Sequence, residues 1–491
     1  MKKFVFILLI LSTFFPIQEI SAQQKNEKMG HRLVFHIKDS PDQMVYLTVH
    51  HRDKLYLRDS ARMRESGVFV FEGENLYEDG LYSVISQKRR SYLNFIIDKD
   101  YHFEYFLDTT NNVFHFSVKD SPENSEMLAF QQKTQTAQQE MQEVIRKRKE
   151  FENAKNQDSV NFYKARQLTI NGEMEQFIND LIARNPEYLF SKMQKAFQPI
   201  EIPDPPVKAD GSIDSNFQHT YYLTHYWDNL DLTDSRFIYL PVLENMYQDY
   251  VKKVLFYLHT DSAIKYADLL LSKTEPDTLM FKYILNRLAP DFGNSKALGH
   301  DAVFVHIAKK YYLSGEYPGG NEETVSIFQK RVKRWEPLLV GKPAPELIIP
   351  DTTEERWISS HSPKEKYVVL WFFDPDCHTC KRESAKLKVL YDSLSTAGSR
   401  NFEVYAIGND SDLDRWRKYV RENKFNWINV GGHTANINYL DVYNIIETGN
   451  PTLFILDENR NIILNKRINV DDIPQFLEQH ENIKLQLGKK R

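Results

Sequence analysis

A chain of 491 residues is too long for one ordinary domain, and its length suggests roughly three. Hydrophobic residues at 41% and aromatics at 13% are enough to build packed cores. A net charge of −5 argues against a nucleic-acid-binding surface, which is usually basic.

The N-terminus reads as a targeting segment. Lys2 and Lys3 form a positive head, Phe4 to Ile17 an apolar stretch, and Ser21-Ala22 a small-residue cleavage site. Residues 1–22 are therefore expected to be a cleaved signal peptide, with an uncleaved anchor as the alternative. No cysteine lies near the cleavage site, so a lipid anchor on a terminal cysteine is not expected. The mature protein is expected to be soluble and exported. Exported domains tend to accumulate structural disulfides, yet this chain has two cysteines in all. Its folds must stand on hydrophobic cores.

Three regions follow. Residues 31–121 show short alternating runs, among them Leu33–Ile37, Val68–Phe71, Leu81–Ile85 and Tyr92–Ile97, separated by turn formers such as Ser66-Gly67 and Glu78-Asp79-Gly80. This pattern predicts a small β-sandwich. Asp59-Ser60-Ala61, followed by Gly67-Val68-Phe69-Val70-Phe71-Glu72-Gly73, resembles the β-domain of unassigned function that precedes thioredoxin-like domains in envelope proteins of some Gram-negative bacteria.

Residues 122–336 read as an all-α domain. Glu140 to Asn156 is charged and free of Gly and Pro, as a long exposed helix would be, and its Arg146-Lys147-Arg148-Lys149 cluster sits among glutamates as a solvated face. The aromatic run Tyr221 to Trp227 reads as packing, with a ligand groove as the alternative. His225, His300 and His306 lack metal-ligand spacing and are expected to be core or surface histidines. The stretch resembles the uncharacterised helical domain of the same envelope proteins.

In residues 338–484 strands and helices alternate, which predicts an α/β layer fold. The whole chain is thus expected to be multidomain α+β: a β-sandwich, an all-α domain and a C-terminal α/β domain. Both cysteines lie in the last of these, as Cys377-His378-Thr379-Cys380. A bare C-x-x-C has several fates. Half a zinc site would need a second ligand pair, and no other cysteine exists. An inert disulfide and a redox pair both remain open. The pair follows a buried strand, Val368 to Phe373, and opens a helix, which favours the redox reading. Unpaired N–H groups and the helix dipole at that position favour a Cys377 thiolate, the form that attacks disulfides. Cys380, about one turn deeper, would resolve the mixed disulfide.

Three pieces resemble the thioredoxin superfamily, and within it the TlpA/ResA/DsbE-like exported thiol-disulfide oxidoreductases. They are the lead-in Gly341-Lys342-Pro343-Ala344-Pro345, the turn Trp371 to Glu383 around the cysteines, and Asn450-Pro451-Thr452-Leu453-Phe454-Ile455-Leu456-Asp457. The resemblance covers about the last third of the chain. It implies a cis Pro451 facing the cysteines, where the alternative is a trans proline at a strand start. Asn450 departs from the Thr or Val usual before that proline and bears on substrate preference and redox poise. Trp371 stands where cytoplasmic thioredoxins carry a buried aspartate, which makes Glu383 the nearest acid/base candidate; its alternative is a surface pair with Lys386. His378 and Thr379 separate the cysteines. His378 either stabilises the thiolate or is simply solvated. A Thr-x-x-Cys peroxidatic setting is missing, so the peroxiredoxin reading is weaker. The resemblance further implies a periplasmic reductant of disulfide-containing envelope proteins, with cytochrome c maturation among its uses. With no third cysteine, the electrons would come from an external thiol donor. No cofactor and no metal are expected. The rival reading is an envelope adaptor whose thiol pair is not used.

Overall fold

The computed structural model describes residues 30–88, 90–108, 115–207, 209–315, 321–410, 412–431, 434–465 and 469–488. The signal peptide expected at residues 1–22 lies outside the described residues. Two compact units are present, the first within Met1–Val49 and Tyr56–Glu175, the second within His50–Leu55 and Gln176–Arg491. Among the described residues no helix is long and apolar enough to cross a membrane.

The N-terminal strands are β1 (His31–Lys38), β2 (Met44–His51), β3 (Lys54–Glu65), β4 (Val68–Gly73), β5 (Gly80–Ser86), β6 (Ser91–Ile97), β7 (His102–Asp108) and β8 (His115–Lys119). They form one continuous sheet in the order β6-β5-β2-β3-β4-β1-β7-β8. The two layers expected from the alternation arise because this sheet curls. Phe95 of β6 reaches Phe35 of β1 with ring centroids 5.3 Å apart, although β1 lies five places away in the strand order. Phe71, Phe103 and Tyr105 complete the buried aromatic core. Gly67 turns β3 into β4 at φ +79°, and a Cβ there would lie 2.3 Å from the Ile37 carbonyl oxygen. The edge strand β6 is partly covered by the first long helix, Pro122–Asn153. The Asn124 side chain exchanges two hydrogen bonds of 2.8 Å with the Ile96 backbone, which pairs groups that an edge would leave open. Along that helix Arg146 pairs with Glu143 and Glu150, as a solvated face requires.

In the second unit, helices between Leu189 and Trp335 pack around buried aromatics. Tyr226 stacks on Tyr250 and Trp227 meets the same ring edge-on, so these residues of the aromatic run serve packing. The three histidines have separate partners: His225 meets Asp228, His300 meets Ser295 and the Phe256 carbonyl, and His306 meets Asp268.

The C-terminal domain adds a hairpin, β9 (Ile348–Pro350) and β10 (Trp357–Ser359), and a five-stranded sheet. Its strands are β11 (Tyr367–Phe373), β12 (Phe402–Gly408), β13 (Ile428–Gly431), β14 (Thr452–Leu456) and β15 (Ile462–Leu464), in the order β13-β12-β11-β14-β15. β11 is parallel to β12 and antiparallel to β14. Every residue of β11 and β12 is buried, because both faces are covered. Val369, Trp371 and Phe373 face the active-site helix (His378–Thr396) side, whereas Val368, Leu370 and Phe372 face Leu347, Tyr405 and Tyr443.

Trp416 fits this sheet only because two glycines make room. Gly408 ends β12 and Gly431 ends β13, and Cβ atoms added there would lie 2.2 and 3.0 Å from the indole. The ring is rigid and only 1% exposed. Gly408→Ala is expected to cost about 1–3 kcal/mol, as overpacking does, and to lower the urea midpoint. An unchanged midpoint would show that the ring moves aside freely.

Candidate active site

The site begins where β11 runs out. Its apolar run stops at Phe373, and Asp374-Pro375-Asp376 makes a tight turn. There the Asp376 N–H donates to the Asp374 carboxylate at 2.7 Å and the Cys377 N–H to the Asp374 carbonyl at 3.1 Å. Cys377 then caps the active-site helix: its extended backbone (φ −71°, ψ 115°) turns Sγ back to accept the Cys380 N–H at 3.2 Å. The first turn of a helix leaves such donors unpaired, and sulfur takes one of them. The Cys377 thiol also lies 3.8 Å from the Asn450 carbonyl oxygen, to which its S–H donates.

Both cysteines are free thiols, in different surroundings. Cys377 is half-buried, whereas Cys380 has no exposed surface. Burial pushes the Cys380 thiol up to about 12, and neighbouring Cys377 adds to the rise. A second negative charge beside a first, away from water, is disfavoured on both counts.

The Asn450–Pro451 peptide is cis. Thr452 Oγ1 donates to the Gly449 carbonyl at 2.6 Å and lies 3.0 Å from Thr448 Oγ1, bracing this turn from within. Pro451, Thr379, Glu383, Trp371 and Leu453 share the lining of a cavity of about 400 Å³ beside the thiols. Glu383 is held by Arg382 at 2.8 Å, with Lys386 at 3.6 Å, and its Oε2 is buried without a hydrogen-bond partner. Glu383 thus pairs with Lys386 while lining the cavity. The buried Trp371 donates its indole N–H to Ser384 Oγ at 3.0 Å. His378 is exposed to solvent at the start of the helix.

Sequence reasoning missed two positioning groups. Asn409, just beyond β12, donates its backbone N–H to Phe373 at 2.8 Å and its carboxamide to Asn450 Oδ1 at 2.9 Å. It thus joins the end of β11 to the proline turn. Arg415 bridges Asp376, at 2.6 Å, to buried Asp410, at 2.7 Å, and holds the Asp410 carboxyl below the usual carboxylate range. The one signal for Asn409 is a polar residue directly after a fully buried parallel strand, where ligand-facing groups gather in α/β sheets.

Residues 365–462 match a family model described as thioredoxin-like. Residues 182–325 match a domain of unknown function. The C-terminal domain of this chain is a thioredoxin-like domain. No curated protein matches the chain. Among solved structures, the chain is similar to a thioredoxin-like protein from Bacteroides caccae, at 19% identity over 57% of this chain and 100% of the other, with a TM-score of 0.44. It is also similar to a domain of a possible thiol-disulfide isomerase from Cytophaga hutchinsonii, at 32% identity over 30% and 98%, with a TM-score of 0.28. A third similar structure is the thioredoxin domain of a thiol-disulfide oxidoreductase from Bacteroides vulgatus, at 24% identity over 29% and 98%, with a TM-score of 0.24.

The unequal thiols have a direct readout. In the folded, reduced protein, iodoacetamide at pH 8 should label Cys377 and spare Cys380, while both react in denaturant, as read by peptide mass spectrometry. Equal labelling in the folded state would contradict the burial of Cys380. Linkage gives the sign for stability. An unfolded cysteine ionises near 8.5, whereas folded Cys380 keeps its proton until about 12. The native state therefore holds the extra proton between those values, and stability falls as pH rises through that window.

Proposed function

We propose that this protein is a periplasmic thiol-disulfide oxidoreductase that reduces disulfides of envelope proteins. One observation carries the reading: a half-buried thiol caps a helix N-terminus beside a cis-proline turn, with a fully buried partner thiol three residues on. The periplasmic location rests on the leader expected at residues 1–22.

The chemistry follows from the geometry. The Cys377 thiolate attacks one sulfur of a substrate disulfide, forming a mixed disulfide and releasing the other substrate sulfur as a thiolate. Cys380 then loses its proton and attacks the Cys377 sulfur. The second substrate thiolate leaves and takes up a proton, and an intramolecular Cys377–Cys380 disulfide remains. Two electrons have passed to the substrate, and an external dithiol restores the reduced pair by the reverse exchange. Cys380 is a poor acid while buried, so its step needs a base. Glu383 and Asp472 are the acidic side chains lining the adjoining cavity, and Glu383, on the thiols' own helix, is the one placed to take up the proton through its buried Oε2, directly or through water, with the Lys386 ammonium 3.6 Å away.

Cys377→Ser should reduce insulin-disulfide reduction to background, and retained activity would sink the reading. Wild-type protein inactive against every disulfide offered would leave the adaptor role instead. Glu383→Gln should leave Cys377 alkylation unchanged while slowing turnover, by on the order of 10²-fold for a lost general base. Unchanged turnover would reduce Glu383 to an ion-pairing residue.

A further inference from the structure

The strand beside the thiols has a second face. Pro451, just before β14, and Leu453 line the thiol-side cavity, whereas Thr452 and Phe454 turn the other way, with Leu453 at the edge of both sides. On that other side lies a cleft of about 630 Å³ between the helical region and the thioredoxin-like domain. Asn294, Ser295 and Arg331 stand on its helical wall, and Asn444, Thr448 and Thr452 on the opposite one. The walls are tied together at the base, where Asn465 donates to Asp301 and, at 2.8 Å, to the Leu338 carbonyl.

The lining chemistry narrows the occupant. Hydroxyls and carboxamides share the lining with the apolar Trp335, Leu338, Leu453 and Phe454, and the charges balance, with Lys296 and Arg331 against Asp301 and Glu447. Such a mixed surface pairs with peptide groups and uncharged side chains, polar and apolar, better than with a strongly charged ligand. Two lining residues also hold buried polar atoms without hydrogen-bond partners, Asn465 Oδ1 as an acceptor and Arg331 Nε as a donor. The Arg331 guanidinium lies 4.0 Å from the Trp335 ring centroid, which leaves that wall firm and flat.

The position of the cleft says which polypeptide reaches it. The Asn450 carbonyl lies 3.8 Å from the Cys377 sulfur, and the residues two before and two after Asn450, Thr448 and Thr452, line the cleft. A chain whose sulfur meets Cys377 therefore passes close to the cleft mouth. We infer that the cleft is a second docking site for the disulfide-bearing polypeptide, holding an extended, uncharged segment of mixed polar and apolar side chains near its reacting cysteine. On this basis the helical region takes part in choosing the substrate. The inference rests on Cys377 being the attacking thiol.

Asn294 and Lys296 are exposed wall residues, remote from the thiols in sequence and suited to filling the cleft. In the full chain, Asn294→Trp and Lys296→Trp should each raise the KM for scrambled ribonuclease about tenfold, a loss of about 1.4 kcal/mol of binding. The kcat, and the rate with oxidised glutathione, which is too small to span both sites, should not change. As a measurement independent of these variants, Cys380→Ala protein trapped as a mixed disulfide with ribonuclease should gain amide hydrogen-exchange protection at residues 293–296. Normal ribonuclease kinetics in both folded variants, or no gain in protection, would overturn the cleft while leaving the thiol chemistry standing. A wild-type protein that reduces neither substrate would overturn the thiol reading, and the cleft with it.

Discussion

A helix that starts at the end of a buried strand must find acceptors for its first N–H groups, and here the acceptor is a sulfur. The bond from the Cys380 N–H to Cys377 Sγ fixes the place of the first sulfur, the helix register and the depth of the second cysteine at once. It is available only because β11 is apolar on both faces and therefore immobile between its two layers. The Asp374–Asp376 turn and the Arg415 clamp on Asp376 transmit that rigidity through the three residues between the strand and the thiol. Move the end of β11, and cap, thiol and proline turn all lose their reference.

The same bond separates the two cysteines chemically. Residues three apart on a helix lie on one face, one turn deeper. The first caps the helix and is half-buried. The second sits under Trp371 and the sheet, where a charge finds no water. Identical side chains thus receive different surroundings from position alone. Glu383, one further turn along, lies at the edge of the same cavity, with its charge partly met by Arg382 and Lys386.

What could be read from the sequence was local. The C-x-x-C after an apolar run, the Asn450-Pro451 turn and the short β runs with Gly at their corners each carry their meaning within a dozen residues. The contacts that were missed join distant parts of the chain. Asn409 meets Asn450 across 41 residues, and Arg415 reaches back to Asp376 across the intervening strand β12. Nothing in the spacing of either pair announces the meeting. β13 and the hairpin of β9 and β10 are three- and four-residue strands whose mixed residues, apolar, polar and proline, show no period, unlike the equally short but wholly apolar β15. In the N-terminal region the alternation revealed strands with a buried face, but alternation is the same for two stacked sheets and for one sheet curled on itself. The unbroken strand order, in which β3 joins β2 to β4, distinguishes them.

Two cysteines in the whole chain impose a further constraint on the proposed cycle. No internal thiol can pass electrons on, so substrate and electron donor must meet Cys377 in turn at the same Asn450–Pro451 turn. A single surface serving both partners has little means of telling them apart, since each presents a sulfur and a stretch of backbone. Discrimination then requires contacts that one partner makes and the other does not. Thr448 and Thr452 stand where such contacts would begin, bracing the turn on one side and lining the cleft on the other. A donor that docks only at the thiol-side cavity and a substrate that also fills the cleft would use one nucleophile without competing on equal terms.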